Sequence, residues 1–196
     1  MEIRRASPAD LPAVAQVLHE AFRHDPISTW IFPDEAGREE LHPGFMGTFA
    51  RMALRAGEVY LTPGAHAVAL WYTVRPGESD ESDGVDELFA MAGPSAPRAR
   101  ALDEVFSARH PAGEEHLYLH LLAVRPDYQG HGLGSALLRD RLALADKDGL
   151  SAYLESSTPR SAALYARMGF AHRETIDLPE GGPTVFSMWR DHNPQP

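Results

Sequence analysis

LLAVRPDYQGHGLGSALL, residues 121–138, decides how the rest of the chain is read. An apolar run leads through a proline-containing turn into a glycine cluster, and then into apolar residues at helical spacing. Gly130, Gly132 and Gly134 remove side chains where backbone N–H groups must approach an anion closely. A helix starting at Leu133 would aim its positive end at the same anion, so the stretch reads as a phosphate cradle. Spacing narrows the choice of phosphate. Gly-x-Gly-x-Gly is not the Gly-x-Gly-x-x-Gly of a dinucleotide fold, no acidic residue stands about 20 positions on at the end of a second strand, and the Gly-Lys-Ser/Thr of a nucleoside triphosphate loop is absent.

Working outward, HLYLHLLAV (116–124) is the strongest strand signal. Strict alternation puts Leu117, Leu119, Leu121 and Ala123 on one face, and His116, Tyr118, His120 and Leu122 on the other. A helix is expected over 133–147, a strand over 151–156, a helix carrying Tyr165 over 159–168 with Gly169 as its C-cap, and a final hairpin of 171–178 with 184–190. Towards the N-terminus, residues 2–5 read as a strand, and Ser7-Pro8-Ala9-Asp10 caps a helix whose Leu11, Val14, Ala15, Leu18 and Phe22 share a face. A second helix covers 35–55, and FRHDPISTWIFP (22–33) reads as a proline-bounded loop too aromatic for a plain linker. Strands 58–62 and 67–74 flank Pro63-Gly64, and short helices follow over 86–91 and 97–109. The mixture predicts an α+β fold around a mixed sheet, in one domain spanning residues 1–196.

Composition removes several function classes. The chain has 18 Lys and Arg against 28 Asp and Glu, a net charge of −10, which argues against a nucleic-acid partner and mildly favours a cationic one. The most acidic run, 78–87, reads as a solvated loop and helix start. With no cysteine, disulfides, thiolate metal sites and a cysteine-bound covalent intermediate are excluded. No run approaches the roughly 18 apolar residues of a membrane span and the N-terminus lacks an apolar leader, so the expected location is cytoplasmic, away from membranes. His116 and His120 have metal-ligand spacing only on a helix, and on a strand lie roughly 13 Å apart, so no metal site is expected.

Gln129, Gly132 and Gly134 form Gln-x-x-Gly-x-Gly after a strand ending Leu-Ala-Val-x-Pro, which resembles the acetyl-CoA pyrophosphate loop of the GNAT family of N-acetyltransferases. SAALYARMGF (161–170) resembles that family's closing motif, a helix carrying a tyrosine and ending at Gly-Phe. The two occur in the family's order and separation. The resemblance is strongest from 117 to 190. Within the family, PDYQGHGLGSALL, YLESSTPRSAALYARMGF and LPEGGP are most similar to puromycin N-acetyltransferase-like members. It implies the GNAT acyl-CoA N-acyltransferase fold, with a mostly antiparallel sheet splayed between its fourth and fifth strands and flanked by helices. It also implies acetyl-CoA as co-substrate, and an antibiotic or amine metabolite as acceptor. Carried onto this sequence, the cofactor-binding residues are Leu122, Ala123 and Val124 through backbone N–H groups, then Gln129, Gly130, His131, Gly132, Leu133, Gly134, Ser135 and Ser161. Two positions depart from the family's pattern. Thr158 and Ser161 stand where many members carry asparagine, and Gln129 stands where arginine is frequent.

Transfer to an amine needs a neutral nucleophile, a polarised carbonyl and a protonated leaving thiolate. Tyr165 is the expected general acid, since a phenol of reference pKa about 10 holds its proton at neutral pH. The base is open between His120, an imidazole on the strand that borders the acceptor side, and Glu155, at the end of the next strand. Asp25, Trp30, Phe32 and Trp71 are expected to wall the acceptor pocket. Three alternatives stay open: a non-catalytic acyl-CoA-binding or drug-sequestering protein of the same fold, acetylation of a protein or peptide amine, and a monomer or a homodimer.

Overall fold

The computed structural model describes residues 2–77 and 84–193; most of the acidic run, 78–83, lies outside them. Seven strands form one sheet: β1 Arg4–Arg5, β2 Glu58–Leu61, β3 Ala67–Val74, β4 His116–Val124, β5 Ser151–Ser156, β6 Ala171–Asp177 and β7 Thr184–Arg190. Their order is β1-β2-β3-β4-β5-β7-β6, and every pairing is antiparallel except β4 with β5. Among the described residues seven α-helices pack around the sheet: α1 Leu11–Phe22, α2 Pro26–Ile31, α3 Glu35–Ala56, α4 Val85–Met91, α5 Ala96–Ser107, α6 Leu133–Asp148 and α7 Pro159–Arg167.

The β4–β5 pairing sets up everything that follows. It runs from His116 opposite Ser151 to Leu119 opposite Leu154 and stops, although β4 continues alongside β3 as far as Val124. Beyond Leu119 the two strands diverge, so the sheet opens into a cleft between its N-terminal and C-terminal arms. The expected splay between the fourth and fifth strands is present.

A bulge sits where the cleft begins. Leu70 of β3 faces Leu121 while Trp71 faces Leu119, which leaves His120 as an extra residue on β4. A bulge reverses the side-chain alternation beyond it. The expected common face of Leu117, Leu119, Leu121 and Ala123 is therefore overturned. Leu117 and Leu119 pack in the core layer under α6, whereas Leu121 and Ala123 pack in the layer under α1 and α3. Leu122 and Val124 swap the opposite way, into the α6 layer.

A second correction concerns residues 22–33, which are not simply a loop. Pro26–Ile31 form α2, with Asp25 as an N-cap in extended backbone accepting a hydrogen bond from the Ile27 N–H at 2.9 Å. Proline at the first helical position costs nothing there, because that N–H has no intrahelical partner. Around α2, Arg38 donates to the Phe32 carbonyl at 2.7 Å, and Arg98 donates to the Trp30 carbonyl at 2.6 Å. His42 of α3, fully buried, joins Ser28 Oγ of α2 at 3.0 Å and His19 Nδ1 of α1 at 3.0 Å, tying three helices together.

The buried imidazoles make stability depend on pH. Burial pushes His42 down to about 3 and His110 down to about 4, and lowers His19 and His116 as well. These folded values lie below the free imidazole value near 6.5, so unfolding takes up protons whenever the pH is below about 6.5. The contribution is complete above that pH and is lost steadily as the pH falls towards about 4. Between pH 7.5 and pH 5 the unfolding free energy should drop by about 2–4 kcal/mol. Urea melts at the two values would measure it, and identical midpoints would contradict it.

Candidate active site

The glycine loop is built as the sequence suggested. After β4 the chain turns through a short helical turn at Pro126–Tyr128 and reaches Gly130 and Gly132, with φ of 80° and 78°. Both lie in the left-handed region that glycine enters without strain. Gly132 is the N-cap of α6 and offers no side-chain cap. The first N–H groups of a helix have no intrahelical acceptor, so those at the start of α6 are available to an anion. An added Cβ at Gly130 or Gly132 would meet nothing within 4 Å, so the space above the loop is open. Gly134 is different, because a Cβ there would rest on Leu122 and Val124 at 3.5 Å. This cradle suits a pyrophosphate. Gln129 uses an amide hydrogen on the Val124 carbonyl at 3.2 Å, closing the loop onto β4, and His131 is exposed.

From this loop a cavity of about 1040 Å³ runs through the opened sheet. Of the proposed cofactor-binding residues, Leu122, Val124, Gln129, Gly130, Gly132, Leu133, Gly134, Ser135 and Ser161 lie on its wall. Ala123 instead faces the core on the α1 and α3 side. Ser161 is tied into the start of α7: its Oγ lies 2.7 Å from Ser156 Oγ and 2.7 Å from Thr158 Oγ1, and Thr158 caps the helix by accepting from Ser161 N–H at 3.1 Å. The hydroxyls at the asparagine position thus serve the helix start. Arg160 and Arg167 of α7 add positive charge to the wall.

Tyr165 of α7 lines the cavity, 7% exposed, with its ring edge-on to Phe170 at 6.0 Å. Burial, and then the charge of Asp25, raise its pKa, which keeps the phenol protonated. Asp25 lies on the same wall. Its Oδ2 accepts from Ser157 Oγ at 2.5 Å, and burial raises its own pKa although its hydrogen bonds pull the other way. Glu155 and His120 also line the cavity. The His120 ring, in the bulge, meets Phe49 edge-on at 5.0 Å and lies against Tyr72 and Tyr118 at 5.6 and 5.4 Å. Glu155 lies beside the Tyr153 phenol, whose pKa is raised chiefly by burial and further by the Glu155 charge.

The acceptor wall differs from expectation. Trp30, Phe32 and Trp71 are 7%, 2% and 0% exposed, belong to the packed core and do not border the cavity. The apolar lining comes instead from Phe45, Phe49 and Met52 of α3, with Leu88, Leu102 and Phe106 of α4 and α5. Sequence reasoning missed these residues and Ser157. The i, i+4 pair Phe45 and Phe49 was visible, but such a pair reads as ordinary core until the sheet is known to open beneath it. Among the described residues, no group of three metal-ligating side chains occurs, and no helix is long and apolar enough to cross a membrane.

Comparison with known proteins gives the same architecture. Residues 86–170 match the model of the Acetyltransferase (GNAT) family, from α4 to the Gly-Phe that ends the tyrosine helix. A crystal structure of histone acetyltransferase HPA2 and related acetyltransferase from Corynebacterium glutamicum superposes with a TM-score of 0.70 at 27% identity, covering 99% of this chain and 97% of that one. Arylalkylamine N-acetyltransferase 2 from Aedes aegypti, at 14% identity and a TM-score of 0.65, shares the fold over 98% of this chain and 99% of its own. Drosophila melanogaster polyamine N-acetyltransferase does so at 15% identity and 0.60, over 97% and 99%. The glycine loop and the tyrosine helix both lie inside the segment that matches the GNAT family model, and the fold is shared with these solved acetyltransferases from end to end.

Proposed function

We propose that the protein transfers an acetyl group directly from acetyl-CoA to a small-molecule primary amine while both are bound. The observation that carries this reading is one cavity lined together by the glycine loop, by Tyr165 and by apolar and aromatic side chains of α3, α4 and α5. The α6 N-terminus and the Gly130–Gly132 backbone would hold the pyrophosphate. Beyond Leu119, the β4 edge that has lost β5 would offer N–H groups to the pantetheine and to the carbonyl oxygen as it gains negative charge. Tyr165 would protonate the departing sulfur. Burial that raises the phenol's pKa also destabilises a buried thiolate, so the transfer exchanges one desolvated anion for another.

The acceptor chamber suits a cation with an apolar body, because Asp25, Asp103 and Glu155 sit among phenylalanine and leucine side chains. Solved relatives bear names of enzymes acting on arylalkylamines and on polyamines, which are amines of this kind. The motif resemblance to puromycin N-acetyltransferase-like members supports adding an antibiotic amine to the candidate acceptors, and the reading carries a cytoplasmic location with it. The test is release of free CoA thiol over a panel of 2-phenylethylamine, agmatine, spermidine and a short peptide with a free N-terminus. Turnover with one of the first three is the expected result. Turnover with the peptide alone would make the acceptor a protein amine, and acetyl-CoA binding without thiol release from any of them would make this a sequestering protein.

A further inference from the structure

We propose that Asp25 is the catalytic residue that takes the proton from the incoming amine, with Ser157 holding its carboxylate from the opposite arm of the sheet. The assignment rests on the acetyl-transfer reading above. Asp25 stands between α1 and α2 in the N-terminal arm, whereas Ser157 follows β5 in the arm that carries α7. Their 2.5 Å hydrogen bond therefore joins the two arms where the sheet has parted. The carboxylate is aimed rather than loose. Oδ1 accepts from Ile27 N–H at 2.9 Å, Oδ2 from Ser157, and the group is fixed at the head of a helix that Arg38, Arg98 and His42 pin on three sides.

Position separates Asp25 from the two bases suggested by the sequence. Asp25 and Tyr165 line the same cavity, and the Asp25 charge acts on the Tyr165 phenol, the group expected to protonate the leaving sulfur. His120 is surrounded by the rings of Phe49, Tyr72 and Tyr118, and Glu155 lies beside Tyr153. These two, with Tyr165 and with His24 next to Asp25, are titratable groups sharing its cavity. Desolvation makes Asp25 a stronger base than a solvated carboxylate and draws an ammonium towards it.

The proton balance closes on these two side chains. An N–H bond of the ammonium breaks and an O–H bond forms at Asp25, which frees the nitrogen lone pair to attack the thioester carbonyl carbon. As the C–S bond breaks, the phenolic proton of Tyr165 moves to sulfur, and the second proton lost by nitrogen restores the phenol. The proton on Asp25 leaves through the open cavity, so each turnover yields the amide, the free thiol and one proton.

Asp25→Asn tests this, since asparagine caps a helix as well as aspartate and keeps the shape. Two acceptors are compared: the panel amine that wild-type protein turns over fastest, and its analogue difluorinated at the carbon beside the aminomethyl group, whose ammonium is far more acidic. With the parent amine the variant should lose about 10²- to 10⁴-fold in kcat/KM, with acetyl-CoA affinity by calorimetry unchanged, while the fluorinated amine recovers most of the loss. An equal loss with both amines, a loss of acetyl-CoA affinity, or a fluorine-rescued defect in His120→Ala or Glu155→Gln but not in Asp25→Asn would overturn the assignment. Wild-type protein inactive on every amine would end the acetyl-transfer reading and this assignment together. Active wild type with an unimpaired Asp25→Asn would end the assignment alone.

Discussion

Gly132→Glu should weaken acetyl-CoA binding by about 30- to 1,000-fold, that is about 2–4 kcal/mol. Two effects add. Gly132 has a φ of 78°, and forcing a residue with a Cβ into that region costs about 1–2 kcal/mol. The carboxylate then projects into open space at the N-terminus of α6, where it occupies the dipole that would otherwise hold the pyrophosphate and repels that anion by about another 1–2 kcal/mol. Gly132→Ala isolates the first effect, because its Cβ meets no neighbour within 4 Å, and should lose only about tenfold. Calorimetric titration with acetyl-CoA measures both. An unchanged dissociation constant in the glutamate variant would remove the cradle assignment.

Tyr165→Phe should lower kcat by about 10²- to 10³-fold and leave acetyl-CoA affinity within about twofold of wild type. Removing the hydroxyl keeps the ring, so the edge-on contact with Phe170 and the packing of α7 survive. What disappears is a buried proton donor whose pKa is raised by burial and by Asp25. The thiolate must then leave unprotonated from a cavity that disfavours anions. Acceptors should rank in the same order with the variant as with wild type, because the apolar lining of the cavity from α3, α4 and α5 is untouched. A fully active variant would show that Tyr165 is a packing residue.

Most elements of the C-terminal half were legible because their signals are local. Residues 116–124, 151–156 and 184–190 were expected as strands and occur with those bounds, and the helices around them differ by one residue at one end. Apolar alternation, a proline at a helix start and a glycine at its end act within a few residues, so no distant partner is needed to read them. The short α2 escaped because Asp25-Pro26 is equally a turn signal and a helix start, and a six-residue helix has too few turns for periodicity. The wrong acceptor wall has another cause. Trp30 and Phe32 lie in and just after the unforeseen α2, and Trp71 stands at the β3–β4 bulge, where alternation no longer says on which side a ring will pack.

By itself the sequence determined the glycine loop, the helix that follows it, the tyrosine helix and their order, since glycine conformational freedom and helix capping are properties of short segments. It also excluded covalent chemistry through cysteine. Only the tertiary structure decided where β4 leaves β5, that His120 is the bulged residue and not the head of a regular face, and that Asp25 meets Ser157 across 132 residues of chain. The physical reason is that a strand's departure from its neighbour, a bulge and a hydrogen bond between distant segments each depend on two partners. One segment's composition specifies only its own half of each.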